Sequence, residues 1–316
     1  MSWLKRAGQK AGLTLSEMAQ VVDRAETIIL GKQQQLKLAM TAILAHGHVL
    51  LEDVPGVGKT TLVKTLAQLL GLKTKRIQFT NDLLPADILG TTVFDNIKNE
   101  FVFHPGPIFA QIIIADELNR ATPKTQSALL QAMEERRVTV DGRTYSLPDP
   151  FFVVATQNPS HQMGTYPLPE SQLDRFMFRI EMGYPNRKAE YDLLTRNYSE
   201  SSLEISPMVD EDKLKKWQNQ VEKVFVSPAV VNYLQNLIDC TRSGVYQVLG
   251  LSPRAGLAWL KAARSWALLN DRHAVLPEDI QSVGVALMSH RIAQAKHNLQ
   301  TGDQLAREIL AKVSVD

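Results

Sequence analysis

Residues 50–60 read Leu-Leu-Glu-Asp-Val-Pro-Gly-Val-Gly-Lys-Thr, and this stretch decides the fold. An apolar run at 49–51 leads into it, and a helical pattern with Leu62, Leu66 and Leu69 on one face follows it. A strand, a glycine-rich turn and a helix in this order form a phosphate-binding loop, because backbone N–H groups and the positive end of the helix then face the phosphates. The sequence therefore predicts nucleotide binding, with a chance turn before a helix as the alternative.

Within this loop, the residue types match the chemistry of a bound nucleotide. Lys59 is expected to reach the β and γ phosphates, and the Thr60 hydroxyl to bind Mg²⁺. The strict motif has glycine at position 53, where this chain has Asp53, but the Pro-Gly-x-Gly-Lys-Thr-Thr pattern is intact. The predicted nucleotide-contacting residues of the loop are Asp53, Val54, Pro55, Gly56, Val57, Gly58, Lys59, Thr60 and Thr61.

The composition of the chain argues against several classes of protein. Its 316 residues exceed one typical domain, and Lys+Arg 35 against Asp+Glu 33 gives no electrostatic reason to expect a nucleic-acid or membrane partner. The single cysteine, Cys240, rules out an internal disulfide and argues against a cysteine–histidine zinc site. No apolar stretch is long enough to cross a bilayer, and the N-terminus lacks an apolar signal core. We therefore expect a cytoplasmic protein without membrane insertion.

Apolar runs and helical patterns alternate through the first part of the chain. Five short runs predict strands, at 49–51, 76–79, 111–115, 151–155 and 178–180. Alternation with helices predicts an α/β fold, with three αβα layers around a parallel sheet. Segment 138–145 has Asp-Gly at its centre and predicts a hairpin, whereas 92–104 fits either a hairpin or a short helix.

A second region is predicted to be all-helical. Proline and glycine in 182–186 predict a hinge, and beyond it the strand pattern ends. Ser227 and Ser252 fit N-cap positions. Helices are predicted at 188–198, 210–223, 228–241, 253–269 and 277–293. The predicted units are an N-terminal tail at 1–16, an αβα nucleotide-binding domain at 17–185 and a small helical lid domain at 186–316.

Polar side chains follow two of the predicted strands. Asp116 and Glu117 come directly after the run at 112–115, so they should face the same crevice as the phosphate loop. There Asp116 would hold Mg²⁺, and Glu117 would orient and deprotonate the attacking water. Asn158 follows the next strand and could hydrogen-bond the γ-phosphate or that water; the alternative is an asparagine that starts a turn before Pro159.

Two arginines could place positive charge against the transferring phosphate. Arg175 lies near the end of a helical stretch, and Arg254 opens a helix in the second region. A guanidinium against the transferring oxygens accelerates phosphoryl transfer by several orders of magnitude in known cases. From spacing alone, a surface salt bridge for Arg175 and a solvated first-turn position for Arg254 are the favoured interpretations.

Taken together, these motifs resemble the AAA+ ATPases, and more narrowly the MoxR family, over about residues 17–295. The similarity includes the phosphate loop and six further segments in family order. These read Pro-Gly-Pro-Ile-Phe at 105–109, Ala-Asp-Glu-Leu-Asn-Arg-Ala at 115–121, Lys-Thr-Gln-Ser-Ala-Leu-Leu-Gln-Ala-Met-Glu-Glu at 124–135, Ala-Thr-Gln-Asn-Pro at 155–159, Leu-Pro-Glu-Ser-Gln-Leu-Asp-Arg-Phe at 168–176 and Ser-Pro-Arg-Ala at 252–255. Leu118 stands where the family commonly has isoleucine, and Asp53 fits the family pattern.

The resemblance implies a role for each candidate. Lys59 and Thr60 would be the Walker A contacts, and Asp116 and Glu117 would form Walker B. Three further positions would complete catalysis: Asn158 as sensor 1, Arg254 as sensor 2 and Arg175 as the arginine finger. Gly31, in the turn 29–31, would border the adenine together with the hinge.

An arginine finger acts on a neighbouring subunit's nucleotide, so the resemblance implies a homo-oligomer that forms a head-to-tail ring, expected to be a hexamer. Family proteins are chaperone-like and mature or remodel partner proteins, often ones with von Willebrand factor A domains, sometimes aiding metal-cofactor insertion. Here ATP and Mg²⁺ would be the cofactors. Hydrolysis would swing the helical domain against the sheet domain, and the two inserted hairpins would face the pore or the surface of the ring.

Two rival functions remain open from the sequence. A helicase-like nucleic-acid motor would need basic pore hairpins, and the chain offers Arg136, Arg137 and Arg143 in one and Lys98 beside Glu100 in the other. A nucleotide-gated binding switch with little turnover would not need the base Glu117. A GTPase is disfavoured, because no Asn-Lys-x-Asp motif is present to read guanine.

Overall fold

The computed structural model describes residues 16–53, 56–157, 164–195, 205–246, 248–292 and 301–315. The predicted tail at 1–16 therefore lies outside the described residues, apart from Ser16, which caps the first helix through its side chain. Along the chain the strands are β1 (Val49–Glu52), β2 (Thr74–Gln78), β3 (Gly90–Asp95), β4 (Glu100–Pro105), β5 (Ile112–Asp116), β6 (Arg137–Val140), β7 (Arg143–Ser146), β8 (Phe152–Gln157) and β9 (Phe178–Ile180).

Helices flank these strands and fill the second half of the chain. They are α1 (Glu17–Glu26), α2 (Gln33–Leu44), α3 (Lys59–Leu69), α4 (Pro85–Leu89), α5 (Pro123–Glu135), α6 (Glu170–Leu173), α7 (Arg187–Thr195), α8 (Glu211–Lys223), α9 (Pro228–Arg242), α10 (Pro253–Leu269), α11 (Pro277–Met288) and α12 (Gly302–Lys312). Within the described ranges, none of them has the length and apolarity that crossing a membrane demands.

The central sheet has five parallel strands in the order β2-β5-β8-β1-β9. Strand β5 is buried on both faces, as its unbroken apolar sequence predicts. Ile112 and Ile114 belong to one hydrophobic cluster, and Ile113 belongs to another on the opposite face, because successive side chains of a strand alternate. The predicted α/β fold with a layered parallel sheet is confirmed, and all five carboxyl ends lie at one edge.

Both insertions are β-hairpins. Strands β6 and β7 pair antiparallel around Asp141-Gly142, as the sequence predicts. Strands β3 and β4 form the second hairpin, which settles the choice left open for residues 92–104. The two hairpins contact each other, since Phe103 of β4 stacks on Tyr145 of β7 with ring centroids 4.1 Å apart.

The helical region follows most of its sequence signals. Ser227 and Ser252 cap α9 and α10 by accepting backbone N–H groups three residues ahead. The end of α11 differs from the prediction: the helix stops at Met288, and the chain then turns so that His290 and Arg291 point into the interior. Helix α12 was not predicted, although Thr301 and Gln304 form a capping box at its start.

The helical region packs firmly on the sheet region. Helices α8 and α10 contact α2, and Gln218 Nε2 donates to the Ile43 carbonyl at 2.8 Å. Arg291, only 4% exposed, donates from Nε to the Asp174 carboxylate at 2.7 Å, and Ser252 Oγ bonds the same carboxylate at 3.2 Å. These contacts hold α10 and α11 against the loop that carries Arg175. The domain boundary at 185 stays a prediction.

Candidate active site

The phosphate loop begins where β1 ends and passes into α3. Gly56 has φ +85° and Gly58 has φ +87°, a left-handed conformation that side-chain-bearing residues rarely adopt. A Cβ on either glycine would meet nothing within 4 Å, so open space adjoins the loop at the helix N-terminus. This is the geometry in which a helix end and its free N–H groups receive an anion. Val54 and Pro55 lie outside the described residues.

Lys59 is 9% exposed and begins α3. Its Nζ donates to the backbone carbonyl of Asp53 at 2.6 Å, which keeps the ammonium folded back on its own loop. Burial lowers the pKa of Lys59, against the opposing charges of Asp53, Asp116 and Glu117. The ammonium thus sits among carboxylates at the carboxyl edge of the sheet, where a phosphate would give it a second anionic partner.

Asp116 ends β5 and is tightly engaged. Its Oδ1 accepts from Thr156 Oγ1 at 2.5 Å, and its Oδ2 accepts from Arg76 at 2.5 Å. Burial opposes ionisation, but the bonds from Thr156 and Arg76 and the charges of Arg76 and Lys59 prevail and lower the pKa of Asp116. The carboxylate is therefore ionised at neutral pH.

Glu117 follows at once, with its backbone in the left-handed region at φ +56°. Its Oε2 accepts from Gln78 Nε2 at 2.9 Å and from Arg120 at 3.0 Å. Its own N–H donates to Thr156 Oγ1 at 2.9 Å. The carboxylate therefore lies at the carboxyl end of β2, and its charge acts on Lys59 of the phosphate loop.

Four of these partners were missed by sequence reasoning: Arg76, Gln78, Arg120 and Thr156. A signal was available for two of them, because Gln78 and Thr156 are polar residues at the carboxyl ends of strands that flank β5. Arg76 and Arg120 carried no such signal, since an exposed arginine is common anywhere on a surface.

A divalent cation fits the donors at this edge. Thr60 lies in the first turn of α3, and the ionised Asp116 carboxylate lies at the same edge. Hydroxyl and carboxylate oxygens are the ligands that Mg²⁺ prefers. Mg²⁺ is therefore chemically suited to this donor pair.

A cavity of about 260 Å³ adjoins the loop on its other side. Ile28, Ile29, Pro185 and Leu193 give it apolar walls, and Val57, Gly58 and Thr61 connect it to the loop. Gly31, at φ +70°, lies beside it, and a Cβ there would approach Ala189 at 3.3 Å and Asn186 at 3.4 Å. An apolar slot beside a phosphate site suits the flat face of a nucleobase.

The two arginines lie at the opposite edge of the sheet. Arg175 precedes β9, where the Met177 N–H bonds the carbonyl of His48, the residue before β1. Arg175 pairs with Glu134 at 3.2 Å, and Arg254 pairs with the other oxygen of the same carboxylate at 3.0 Å. Within one protomer, the fold therefore brings these guanidinium groups together but not to Lys59.

The predicted site residues thus fall into two groups. Lys59, Thr60, Asp116 and Glu117 converge at the carboxyl edge, together with the described part of the loop. Arg175 and Arg254 meet at the amino edge. Asn158 lies outside the described residues; Gln157, just before it, ends β8 at the carboxyl edge.

Comparisons with known proteins agree with this geometry. Residues 48–178 match the ATPase family associated with various cellular activities (AAA), and residues 240–311 match the AAA lid domain. The chain is 44% identical over 302 residues to the uncharacterized protein YeaC of Bacillus subtilis, with 94% of each chain covered. It is 39% identical over 308 residues to Chaperone MoxR1 of Mycobacterium tuberculosis, with 95% of this chain and 80% of that protein covered.

A solved structure leads to the same group. The crystal structure of a candidate ATPase from Cytophaga hutchinsonii has a TM-score of 0.85 and 36% identity, with 95% of both chains covered. The relatives named above match nearly the whole chain, and the AAA family match over residues 48–178 includes the phosphate loop and the paired carboxylates. The chain belongs to the MoxR family of AAA+ ATPases.

Proposed function

We propose that this chain hydrolyses ATP to ADP and phosphate with Mg²⁺, in a head-to-tail ring whose neighbouring subunits complete each other's sites, and that the cycle remodels a partner protein. The observation that carries the proposal is the division of the site between two edges of one sheet. A protomer that keeps Arg175 and Arg254 away from its own Lys59 needs a second copy to supply them.

At the carboxyl edge, the chain's own groups divide the work. The loop N–H groups and Lys59 bind the phosphates, once Lys59 leaves the Asp53 carbonyl. Glu117 takes a proton from the water that attacks the γ-phosphorus, and the bond to the ADP oxygen breaks. Gln78 and Arg120 hold the Glu117 carboxylate beforehand, so they fix where it can accept that proton. Mg²⁺, held by Thr60 and Asp116, would neutralise charge on the phosphates.

At the amino edge, Arg175 and Arg254 present two guanidinium groups on one carboxylate, that of Glu134. Placed against the neighbour's γ-phosphate, they would stabilise the charge that develops on the transferred group. Arg254 belongs to α10, so movement of the helical region would carry it toward or away from that phosphate. A closed ring of such contacts, which we take to be a hexamer, follows from a heterologous interface.

The hairpins favour a protein client over nucleic acid. Ile97 is 97% exposed and Phe101 68%, so the β3–β4 hairpin offers apolar surface. Arg137 pairs with Glu135 at 3.3 Å, and Arg136 donates to the His46 carbonyl at 3.2 Å, so these hairpin arginines are already engaged. The client type that we propose is a von Willebrand factor A domain protein, in some cases during metal-cofactor insertion, and it follows from the family resemblance alone. The setting that we propose is the cytoplasm, in line with the expectation from the sequence.

Mixing two inactive variants tests the shared site. One variant carries Glu117→Gln and keeps both arginines; the other carries Arg175→Ala with Arg254→Ala and keeps Glu117. Alone, each should turn over ATP slowly. Mixed in equal amounts and allowed to reassemble, they should recover about a quarter of wild-type turnover, because about one junction in four pairs an intact carboxyl edge with an intact amino edge.

Co-assembly is verified by purifying the mixture through a tag on one variant only. Turnover of a co-assembled mixture that equals the mean of the two variants alone would show that the sites are not shared between subunits.

A further inference from the structure

Asp53 occupies the position at which the strict phosphate-loop motif has glycine, and the structure gives its side chain a specific partner. The Asp53 carboxylate accepts a hydrogen bond from the backbone N–H of Gly183. Gly183 lies between β9 and α7, in the segment that joins the sheet region to the helical region. Glycine at position 53 could not make this bond, because it has no side-chain acceptor.

The same residue also contacts the lysine that serves the phosphates. The Asp53 backbone carbonyl accepts from Lys59 Nζ at 2.6 Å. One residue is therefore bonded through its main chain to the nucleotide-binding lysine and through its side chain to the hinge. A phosphate that draws Lys59 away removes one of these bonds and so changes the restraint on the Asp53 backbone.

The hinge itself is restrained from the other side. Lys32, buried at the start of α2, donates from Nζ to the carbonyls of Met182, Gly183 and Tyr184 at 2.6, 3.0 and 2.9 Å. Lys32 thus holds the carbonyls of this segment, and the Gly183 N–H bonds the Asp53 carboxylate just beyond β1. Displacement of Asp53 would therefore act on this segment through the Gly183 N–H.

Residues just beyond the hinge also wall the cavity beside the loop. Pro185 lines it directly, and Asn186 accepts from the Ala189 N–H at 2.8 Å, which starts α7 and places Leu193 in the cavity wall. A hinge displacement would therefore change the nucleotide cavity as well as the attachment of the helical region.

We propose that Asp53 is a positioning residue that couples the state of the phosphate loop to the interdomain hinge through its bond to Gly183. The proposal rests on the nucleotide site described above and goes beyond it, because it assigns a role to the one residue that departs from the motif. A ligand shifts a conformational equilibrium only through interactions that differ between the two states, and the paired bonds of Asp53 supply such a difference.

Hydrogen exchange at the Gly183 amide measures the proposed bond directly. Full-length wild-type protein and each variant are measured without nucleotide and with a saturating non-hydrolysable ATP analogue. The affinity of each protein for the analogue is determined first by titration. In wild type we expect the analogue to change the hydrogen-exchange rates of the backbone amides in 182–186 by at least about threefold, because Lys59 then leaves Asp53. In Asp53→Gly and Asp53→Ala we expect Gly183 to exchange about tenfold faster without nucleotide, since a bond to a charged acceptor is lost.

The variants separate the possible causes. Asp53→Asn keeps a side-chain oxygen acceptor and should restore both the protection of Gly183 and its response to the analogue. Asp53→Ala removes the acceptor without adding the flexibility of glycine. Glu52→Gln is the matched control: Glu52 is the neighbouring carboxylate but pairs with Arg179 at 3.3 Å, so its loss should leave the Gly183 amide protected.

The deciding comparison is the response of the hinge to the analogue. If Asp53→Gly binds the analogue and its hinge responds as in wild type, Asp53 is not the coupling residue. Failure of the proposed function would show differently, as wild-type protein that binds the analogue but does not hydrolyse ATP. The two failures are therefore distinguishable in one set of samples.

Discussion

At the carboxyl edge of the central sheet, Lys59 lies among carboxylates, two of which also bond Arg76 and Arg120, whereas at the amino edge two arginines share one carboxylate. Of the carboxyl-edge groups, Asp116 ends β5, Glu117 follows it, and Lys59 begins the helix after β1. The amino-edge groups, Glu134, Arg175 and Arg254, come from three distant segments. Roughly 15 Å, the length of a five-residue strand, separates the two edges.

This difference predicts how each edge of the site responds to substitutions. The carboxyl edge is fixed by the sheet, so its geometry is a property of one folded protomer. The amino edge depends on how the helical region is docked, because Arg254 is carried by α10 and Asp174 holds that helix through Ser252. Variants at the two edges should therefore fail in different ways.

The largest expected effect is at the carboxyl edge, with Glu117→Gln. Loss of the base should reduce ATP turnover by about 10²- to 10⁴-fold, while the amide still bonds Gln78 and nucleotide affinity stays near wild type. Steady-state hydrolysis and binding of a fluorescent nucleotide measure the two effects separately. Wild-type turnover in this variant would remove Glu117 from the reaction.

Next come Arg175→Ala and Arg254→Ala at the amino edge. Each should lower turnover at least about a hundredfold with little change in nucleotide affinity, because the guanidinium would act on the neighbour's transition state. Arg137→Ala is the matched control, since Arg137 is an exposed arginine paired with Glu135. If Arg254→Ala instead weakened binding to the protomer's own loop, the separation of the two edges would fail.

A smaller effect is expected from Glu134→Gln, which keeps the shape of the side chain but removes the charge that both arginines share. Exposed pairs contribute little each, so turnover should fall about threefold to fivefold, with nucleotide affinity unchanged. Glu135→Gln removes the same charge from the next residue and should have less effect, because its partners are Gln131 and Arg137. Equal effects of the two variants would show that only the net charge matters.

The last expected effect is on acid stability at the amino edge and leaves turnover at neutral pH unchanged. His48 accepts the Val153 N–H at Nδ1 and therefore carries its proton on Nε2, which faces the Met133 carbonyl. Burial lowers the pKa of His48 to about 4 from an ordinary 6.5. Below pH 6.5 the unfolded chain binds a proton at His48 that the folded chain does not bind. The free energy of unfolding therefore falls as the pH falls toward 4.

Substitution of His48 isolates the contribution of this residue to the acid dependence of stability. Between about pH 6.5 and pH 5, His48→Gln should lose on the order of 1 to 2 kcal/mol less of its unfolding free energy than wild type. Urea unfolding at several pH values measures the slopes. His46 and His290, whose pKa values are also lowered by burial, keep part of the acid dependence in both proteins. Identical slopes would show that the fold does not lower the pKa of His48.

Much of the fold and one edge of the site could be predicted from the sequence, because they depend on neighbouring residues. The five strands, the phosphate loop and the pair Asp116-Glu117 each have a local signal in an apolar run or a glycine pattern. Helix α12 was missed although its capping box is equally local, and α11 was predicted five residues too long because its periodicity continues past Met288.

By itself, the sequence determined that this chain has a parallel sheet, a phosphate loop and a helical region, and which residue types stand ready for phosphate chemistry. Only the tertiary structure decided which of them meet: Arg175 with Arg254 on Glu134, and Asp53 with Gly183. The physical reason is the separation along the chain over which each effect acts. Backbone propensity and alternating burial act between near neighbours, whereas the meeting of residues 40 or more positions apart depends on how whole helices pack.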